Sequence, residues 1–249
     1  MKNVVLFFML IFQLSVAQNQ DEVFTSANAL YQKGSYQEAL NSYKSLIGQD
    51  AVSSELYHNI ANCYYKLNQV APAIYNYEKA LLLNPSNEDA KNNLIFAKRL
   101  TIDRIEELPE TFLQRLNKTF LQQLHYDTWA ILAIVFAFIK VALFLLFYFS
   151  YSSGFKRLFF VSSILSTILL LTTLSFAYHQ YNKAENTVLA IIFVDEVPVK
   201  SEPTFDADEA FVLHEGTKVL VLDEVGNWKK IKLADGKIGW LKRENIQFL

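Results

Sequence analysis

Two apolar stretches decide how this chain is organised: WAILAIVFAFIKVALFLLFYF (129–149) and LFFVSSILSTILLLTTLSFAY (158–178). The first contains one charged residue, Lys140, and the second contains none. As a helix, a stretch of about 21 residues rises ~31 Å, which is enough to cross the hydrocarbon core of a membrane. The residues between them, SYSSGFKR (150–157), are polar and too few to form a domain. The sequence therefore predicts a transmembrane hairpin, with helices over 129–149 and 158–178 and a turn over 150–157, and it places the two flanking segments on the same side of the membrane.

The amino terminus predicts export. Lys2 supplies a positive charge, a short apolar core follows, and small residues stand at positions 15 and 17, where a signal peptidase requires them. We therefore predict a signal peptide over residues 1–17; the alternative is that this segment stays in place as an uncleaved anchor. With export, Lys156 and Arg157 fall in a cytoplasmic turn, as the positive-inside rule expects. Both flanking segments are then on the periplasmic side of the inner (cytoplasmic) membrane.

A shift of 34 residues superimposes one part of the chain on the next. The coincident positions are Ala27 and Ala61, Asn28 and Asn62, Tyr31 and Tyr65, Ala39 and Ala73, and Tyr43 and Tyr77. A 34-residue period built from two helices is the signature of the tetratricopeptide repeat (TPR). Gly34 breaks the chain between the helices of the first repeat, and Pro85 follows the last helix of the second, where it ends helix propagation. Residues 20–108 are therefore predicted to form an all-α TPR helical-repeat domain.

A TPR stack presents a concave groove that binds peptides or helices of partner proteins. The residues predicted to line this protein-binding groove are Phe24, Asn28, Tyr31, Asn59, Asn62, Tyr65, Asn93 and Phe96. The alternative is that these side chains are solvated surface or inter-helix packing. TPR proteins that hold a carboxyl terminus use a clamp of two asparagines with Lys and Arg. Asn28 and Asn59 stand at the asparagine positions, but Phe24, Asp89 and Asn93 stand at the cationic ones, so that specificity does not carry over.

Residues 109–128 are predicted to form an amphipathic juxtamembrane helix. Apolar side chains recur at three- and four-residue spacing between Phe112 and Leu124, with polar residues between them. Pro109 and Glu110 suit the first turn of a helix. Two interpretations stay open: the helix lies in the membrane interface, or it packs on the TPR stack as a cap.

Polar groups within the apolar stretches have two interpretations each. We expect Lys140 to extend its ammonium group toward the cytoplasmic face; the alternative is a partner contact or an ion path. The pairs Ser162/Ser166 and Ser163/Thr167 are separated by one helical turn. Such small pairs suit close packing, either between the two helices or with another protein.

From residue 186 onward, short β-rich runs alternate with turn residues. Strands are predicted over 188–194, 210–213, 218–223, 228–233 and 238–241, and the Asp-Gly pair at 235–236 is a strong hairpin signal. Five short strands in about sixty residues indicate a small all-β barrel. Residues 186–249 resemble bacterial SH3-like (SH3b) domains through VKSEP (199–203), LHEGT (213–217), WKKI (228–231) and DGKIGWL (235–241). That resemblance implies binding of peptides or cell-wall material.

Composition and spacing argue against catalysis and nucleic-acid binding. The net charge is −2 and there is no long basic run, which is untypical of nucleic-acid-binding proteins. The four histidines are scattered, and Cys63 is the single cysteine. The sequence contains no Gly-rich phosphate loop, nucleophile elbow or HExxH motif. We therefore predict no enzyme activity, no catalytic or metal-binding residues and no cofactor.

The order of segments as a whole resembles the TPR-containing BatE proteins of the Bacteroides aerotolerance (Bat) operon. AIYNYEKALLLNPSNEDAKNNLIFAKRLTIDRIEELPETFL (73–113) and the carboxyl-terminal domain carry this resemblance. It implies partnership with von Willebrand A-domain Bat membrane proteins and, indirectly, with a MoxR-type ATPase. The sequence thus predicts a multidomain membrane protein that acts as a non-enzymatic scaffold in the cell envelope. The alternative is an envelope sensor or peptidoglycan-binding protein that works through the SH3-like domain.

Overall fold

The computed structural model describes residues 20–47, 52–106, 108–109, 111–112, 115 and 124–249. The predicted signal peptide (1–17) and most of the predicted juxtamembrane helix (109–128) lie outside these ranges. The chain divides into two compact units. The first joins Met1–Leu108 to Leu189–Leu249, and the second is Pro109–Val188. The first unit is therefore discontinuous in sequence.

The amino-terminal part of the first unit is a stack of helices. They are α1 (20–32), α2 (Tyr36–Ile47), α3 (Ser54–Lys66), α4 (Val70–Leu83) and α5 (Glu88–Lys98). The alanines that coincide under the 34-residue shift, at 27, 39, 61 and 73, are fully buried. Ser53 caps α3 by accepting from the amide of Leu56, and Asn87 caps α5 by accepting from Ala90. The predicted TPR fold is confirmed.

The same left-handed backbone turn recurs one repeat apart. Gly34 has φ +82° between α1 and α2, and Asn68 has φ +57° between α3 and α4. Glycine adopts this conformation without steric cost, and asparagine is among the few other residues that tolerate it. Asn68 therefore replaces glycine without changing the turn.

The carboxyl-terminal part of the first unit is an antiparallel sheet in the order β3-β2-β6-β5-β4-β1-β7. The strands are β1 (Val188–Ile192), β2 (Glu196–Lys200), β3 (Glu209–His214), β4 (Lys218–Val225), β5 (Trp228–Lys232), β6 (Ile238–Lys242) and β7 (Ile246–Phe248). All seven strands contribute to one buried cluster, so the sheet wraps around its core as a small barrel. The prediction of five strands was incomplete, because β2 contains Pro198 and β7 has three residues, and neither gives a clear strand pattern.

The helical stack and the barrel pack directly on each other. Ile191 belongs to the buried cluster formed mainly by α3, α4 and α5, and the ring of Phe193 meets that of Tyr75 edge-on at 5.6 Å. Gly216 makes the closest approach. A Cβ atom there would lie 2.9 Å from the side chains of both Ile74 and Thr101, and its φ is +83°. A side chain at position 216 would therefore require Ile74 and Thr101 to shift, which disturbs the contact between the two domains.

Glu78 on α4 is the first of two carboxylates that join these domains. It is 7% exposed, and its two oxygens contact Lys218 Nζ of β4 at 2.6 Å and Lys98 Nζ of α5 at 3.2 Å. Burial alone would raise the pKa of Glu78, but the charges of Lys218 and Lys98 outweigh burial and hold it below its ordinary value. Glu78 is therefore ionised at neutral pH and holds one lysine from each domain.

Asp103 is the second carboxylate. It lies beyond the end of α5, and its Oδ2 accepts from the backbone amide of His214 (2.7 Å) and the hydroxyl of Thr217 (2.6 Å). Its Oδ1 lies 2.8 Å from His214 Nδ1. Burial would raise the pKa of Asp103, but the bonds from Thr217 and His214 prevail and lower it. One aspartate thus fixes the turn between β3 and β4 on the helical domain.

The second unit contains two long apolar helices, α6 (Tyr126–Phe149) and α7 (Ser153–Asn186). Both are long and apolar enough to cross a membrane. Trp129 meets Phe176 at 5.2 Å near one end and Phe147 meets Phe160 at 5.8 Å near the other, so the helices run antiparallel. The helices extend beyond the apolar stretches: α7 begins within the predicted turn and continues past residue 178.

A seam of small side chains lies where α6 and α7 meet. Ala133, Ser166, Thr173 and Ala177 are buried there. The hydroxyl of Ser166 donates to the carbonyl of Phe136 at 3.0 Å. Of the two interpretations left open for the Ser162/Ser166 pair, this contact favours packing between the two helices.

We predict that Gly216→Ala weakens the contact between the TPR and SH3-like domains, whereas Gly226→Ala does not. Both glycines have positive φ, so both substitutions introduce backbone strain, but only Gly216 faces atoms closer than 3.0 Å; Gly226 has none within 4 Å. Hydrogen exchange of the full chain in detergent should accelerate across α4 and residues 212–220 in the first variant alone. Equal acceleration in both variants would contradict this account of the contact.

Candidate protein-binding groove

The eight residues predicted to line the groove lie on the first helix of each successive repeat. Seven are half-buried and Phe96 is 49% exposed. Helix α1 carries Phe24, Asn28 and Tyr31; α3 carries Asn59, Asn62 and Tyr65; α5 carries Asn93 and Phe96. The structure brings the four asparagines together in pairs. Their role in binding stays a prediction.

The asparagines belong to a hydrogen-bond pattern that repeats with the sequence period. Asn28 Oδ1 accepts from the hydroxyl of Tyr43 (2.5 Å) and from Asn59 Nδ2 (3.3 Å). Thirty-four residues later, Asn62 Oδ1 accepts from the hydroxyl of Tyr77 (2.6 Å) and from Asn93 Nδ2 (2.9 Å). These six residues are called the Asn–Tyr ladder below. Each step ties the first helix of one repeat to its own second helix and to the next repeat.

His58 extends the second step of the ladder. Its Nε2 lies 3.3 Å from Asn62 Nδ2 and 3.1 Å from Asn93 Nδ2. Both neighbours are amide donors, so Nε2 accepts and the ring is neutral. Burial lowers the pKa of His58, although Asp89 and Glu55 act to raise it. His58 is not among the residues predicted to line the groove.

The repeat period could have identified His58, because it is the counterpart of Phe24 34 residues earlier. Their ring contacts are also equivalent. Phe24 meets Tyr43 at 5.7 Å, and His58 meets Tyr77 at 5.9 Å. An apolar ring in the first repeat is thus replaced by a polar one in the second.

The ladder fixes some amide groups and leaves others available. Among the described residues, no hydrogen bond engages Asn28 Nδ2 or Asn59 Oδ1. A donor and an acceptor are the groups that recognise a peptide backbone. Tyr31, in edge contact with Tyr36 at 5.1 Å, and the exposed ring of Phe96 add apolar surface. The arrangement therefore combines fixed amide groups with aromatic surface, which suits a peptide or a helix.

The described part of the chain gives little indication of a metal site or a reactive nucleophile. No group of three or more His, Cys, Asp or Glu there is placed to hold a metal ion. Cys63 is fully buried, and burial raises the pKa of its thiol to about 12. At neutral pH this thiol is protonated and is a poor nucleophile.

The barrel carries an exposed aromatic surface of its own. Phe205 is 71% exposed, and its ring meets Trp228 at 5.5 Å. Lys242 Nζ lies 4.5 Å from the Phe205 ring centre, and Lys230 Nζ lies 5.7 Å from that of Trp240. Trp228 and Trp240 are half-buried. The two tryptophans thus lie at the rim of the barrel core.

Both domains of the first unit match known protein families. The tetratricopeptide repeat family matches residues 54–87, which run from the start of α3 to the cap of α5. The bacterial SH3 domain family matches residues 195–247, from just before β2 into β7. The chain contains a tetratricopeptide repeat and a bacterial SH3 domain. A comparison with curated proteins finds no match.

Among solved structures, the chain is similar to the type III secretion translocator chaperone SycD of Yersinia enterocolitica. The identity is 15% with a TM-score of 0.32, over 63% of this chain and 84% of SycD. For SycD in complex with a peptide of the translocator YopD, the identity is 16% and the TM-score is 0.31, over 63% of this chain and 92% of that chain. For an alternative dimer of SycD, the identity is 15% and the TM-score is 0.31, over 63% of this chain and 92% of that chain.

We predict that Tyr77→Phe weakens the ladder by about 1 kcal/mol, the net worth of one buried hydrogen bond. Tyr75→Phe is the matched control, because among the described residues its hydroxyl makes no hydrogen bond and its ring contact with Phe193 is kept. Native-state hydrogen exchange of α4 in the full chain measures the free energy of local opening. If Tyr77→Phe lowers this free energy of opening no more than Tyr75→Phe does, the ladder does not stabilise the repeat.

Proposed function

We propose that this chain is a non-enzymatic, membrane-anchored scaffold that holds partner proteins together in the cell envelope. The observation that carries the proposal is the direct union of two interaction domains in one folded unit through Glu78 and Asp103. The predicted groove lies on α1, α3 and α5, whereas the barrel packs on α4 and the segment after α5. The groove and the barrel are thus held in a fixed relation, which is the property that a scaffold requires.

The discontinuity of the first unit supports a membrane hairpin. Residues 108 and 189 flank the two apolar helices and belong to the same unit. A folded unit lies on one side of a membrane, so the chain between these residues crosses it an even number of times. Two helices of spanning length meet this requirement. We infer that the TPR and SH3 domains lie on the periplasmic side of the inner membrane, with Lys156 and Arg157 in the cytoplasm.

The resemblance to BatE-type proteins guides the choice of partners. We propose von Willebrand A-domain Bat membrane proteins as direct partners and a MoxR-type ATPase as an indirect one, in a complex related to aerotolerance or stress. A protein without its own catalytic site contributes to such a complex by positioning other members.

The aromatic pair Phe205 and Trp228 favours a second candidate function, binding of cell-wall material through the SH3 domain. Exposed aromatic rings suit contact with sugar rings, and Lys242, whose ammonium lies over the Phe205 ring, suits the carboxylates of the peptides attached to those sugars. Sedimentation of the detergent-solubilised full chain with purified peptidoglycan, and its loss in Phe205→Ala, would favour this function. Absence of sedimentation, with both domains folded, would remove it.

We predict that a photo-crosslinking residue at position 96 captures a specific partner in intact cells, whereas one at position 95 captures far less. Phe96 and Ile95 are both exposed on α5, by 49% and 53%, but only Phe96 is a predicted groove position. Mass spectrometry of the crosslinked species identifies the partner. Capture of the same proteins from both positions, or of none from position 96, would count against the groove.

We predict that alkaline phosphatase is inactive when fused in the turn before Ser153 and active when fused after Leu249. The enzyme is active only outside the cytoplasm, so the two fusions report the sides of the turn and of the SH3 domain. A reversed pattern would place both domains in the cytoplasm. Equal activity of the two fusions would contradict the hairpin itself.

A further inference from the structure

A cleft of about 840 Å³ lies between the segment that follows α5 and the SH3 barrel. One wall comes from residues 98–105, and the other from β4, the end of β5 and Leu189. Binding sites for small molecules and short peptide segments have volumes of roughly 300–1,000 Å³. The cleft is distinct from the predicted groove, because it shares no residue with it. It is large enough for several side chains of a ligand.

The walls of this cleft are strongly cationic. Five basic side chains line it, Lys98, Arg99, Arg104, Lys218 and Lys232, against the single acid Asp103. Both oxygens of Asp103 are already engaged by His214 and Thr217, so Asp103 is held on the barrel. The cleft therefore has an excess of positive charge that its own lining does not neutralise.

Two of these cations are fixed in position. Glu78 contacts the ammonium groups of both Lys98 and Lys218, and its single charge cannot neutralise two. Each ammonium has three N–H donors, so donors remain for a ligand. The side chains of Lys98 and Lys218 are 45% and 32% exposed. The cleft thus has a preorganised pair of cations, one on each wall.

Two further cations have no acidic partner in the described part of the chain. Arg104 is exposed at the end of one wall, and Lys232 is half-buried on the other. Between the charged groups the surface is apolar, formed by Ile105, Leu189, Val219 and Leu233. The lining of the cleft therefore combines cationic and apolar side chains.

We propose that this cleft binds an acidic peptide segment of a partner protein, in which carboxylates alternate with apolar side chains. An extended segment points successive side chains to opposite sides, so its glutamates form one face and its apolar residues another. These faces can meet the cationic and the apolar parts of the lining. Charge complementarity favours this occupant. The proposal deepens the scaffold function and rests on it, because it names the chemistry of a second partner contact beside the groove.

The test uses the full chain in nonionic detergent and a rhodamine-labelled octapeptide of alternating glutamate and leucine. Fluorescence anisotropy should show binding that weakens by about tenfold when glutamine replaces glutamate, and weakens again in about 0.5 M salt. The double variant Arg104→Gln/Lys232→Gln should bind the glutamate peptide about tenfold more weakly, since it removes two cations that make no ion pair with Glu78. The matched control, Lys33→Gln/Lys66→Gln, removes the same charge from exposed positions in the repeats and should bind within about twofold of the unmodified chain.

Three results would overturn the proposal. They are equal binding of the two peptides, equal effects of the two double variants, and cleft-dependent binding of phosphatidylglycerol mixed micelles without binding of the peptide. The last would assign the cleft to an anionic lipid. Partner capture from position 96 together with failure of peptide binding would leave the scaffold function standing and remove only the cleft proposal.

Discussion

The carboxylate of Glu78 is the interaction on which the arrangement of this protein depends. An ionised group that is 7% exposed is costly without partners, and here one lysine comes from α5 and the other from β4. Removing the SH3 domain would leave that charge with Lys98 as its lysine partner and without Lys218. The next residue, Tyr77, donates to Asn62 in the ladder. Helix α4 therefore contacts the barrel through one face and organises the predicted groove through another.

Strong periodicity explains what the sequence could predict. The 34-residue repeat placed Asn28, Asn62, Tyr43 and Tyr77, and the structure joins them by equivalent hydrogen bonds. The apolar stretches and the resemblance to SH3b domains likewise predicted the two long helices and the barrel, and the fold class is confirmed. In each case the signal lies within one continuous segment of the chain, as a repeat, a short motif or an uninterrupted apolar run.

No sequence pattern indicates the contacts that join the two domains. Glu78 and Lys218 are 140 residues apart, and Asp103 and His214 are 111 apart, with the apolar helices between them. A lone acid in a helix and a lone histidine in a β-rich segment are each common on protein surfaces. Only the fold brings them together. Gly216 is a similar case: its sequence context indicates a turn, but its contact with Ile74 and Thr101 depends on the other domain.

The discontinuous first unit has a consequence for biosynthesis. The ribosome completes α4 and α5 before the SH3 strands exist, and about 80 residues separate the two halves of the unit. Lys218 follows Glu78 by 140 residues. At a synthesis rate of roughly 5–20 residues per second, the docking surface of Ile74 and Glu78 therefore stays uncovered for about 7–28 s. During that interval Glu78 has Lys98 and not Lys218 as a lysine partner. Completion of the carboxyl terminus is thus the step that closes the unit.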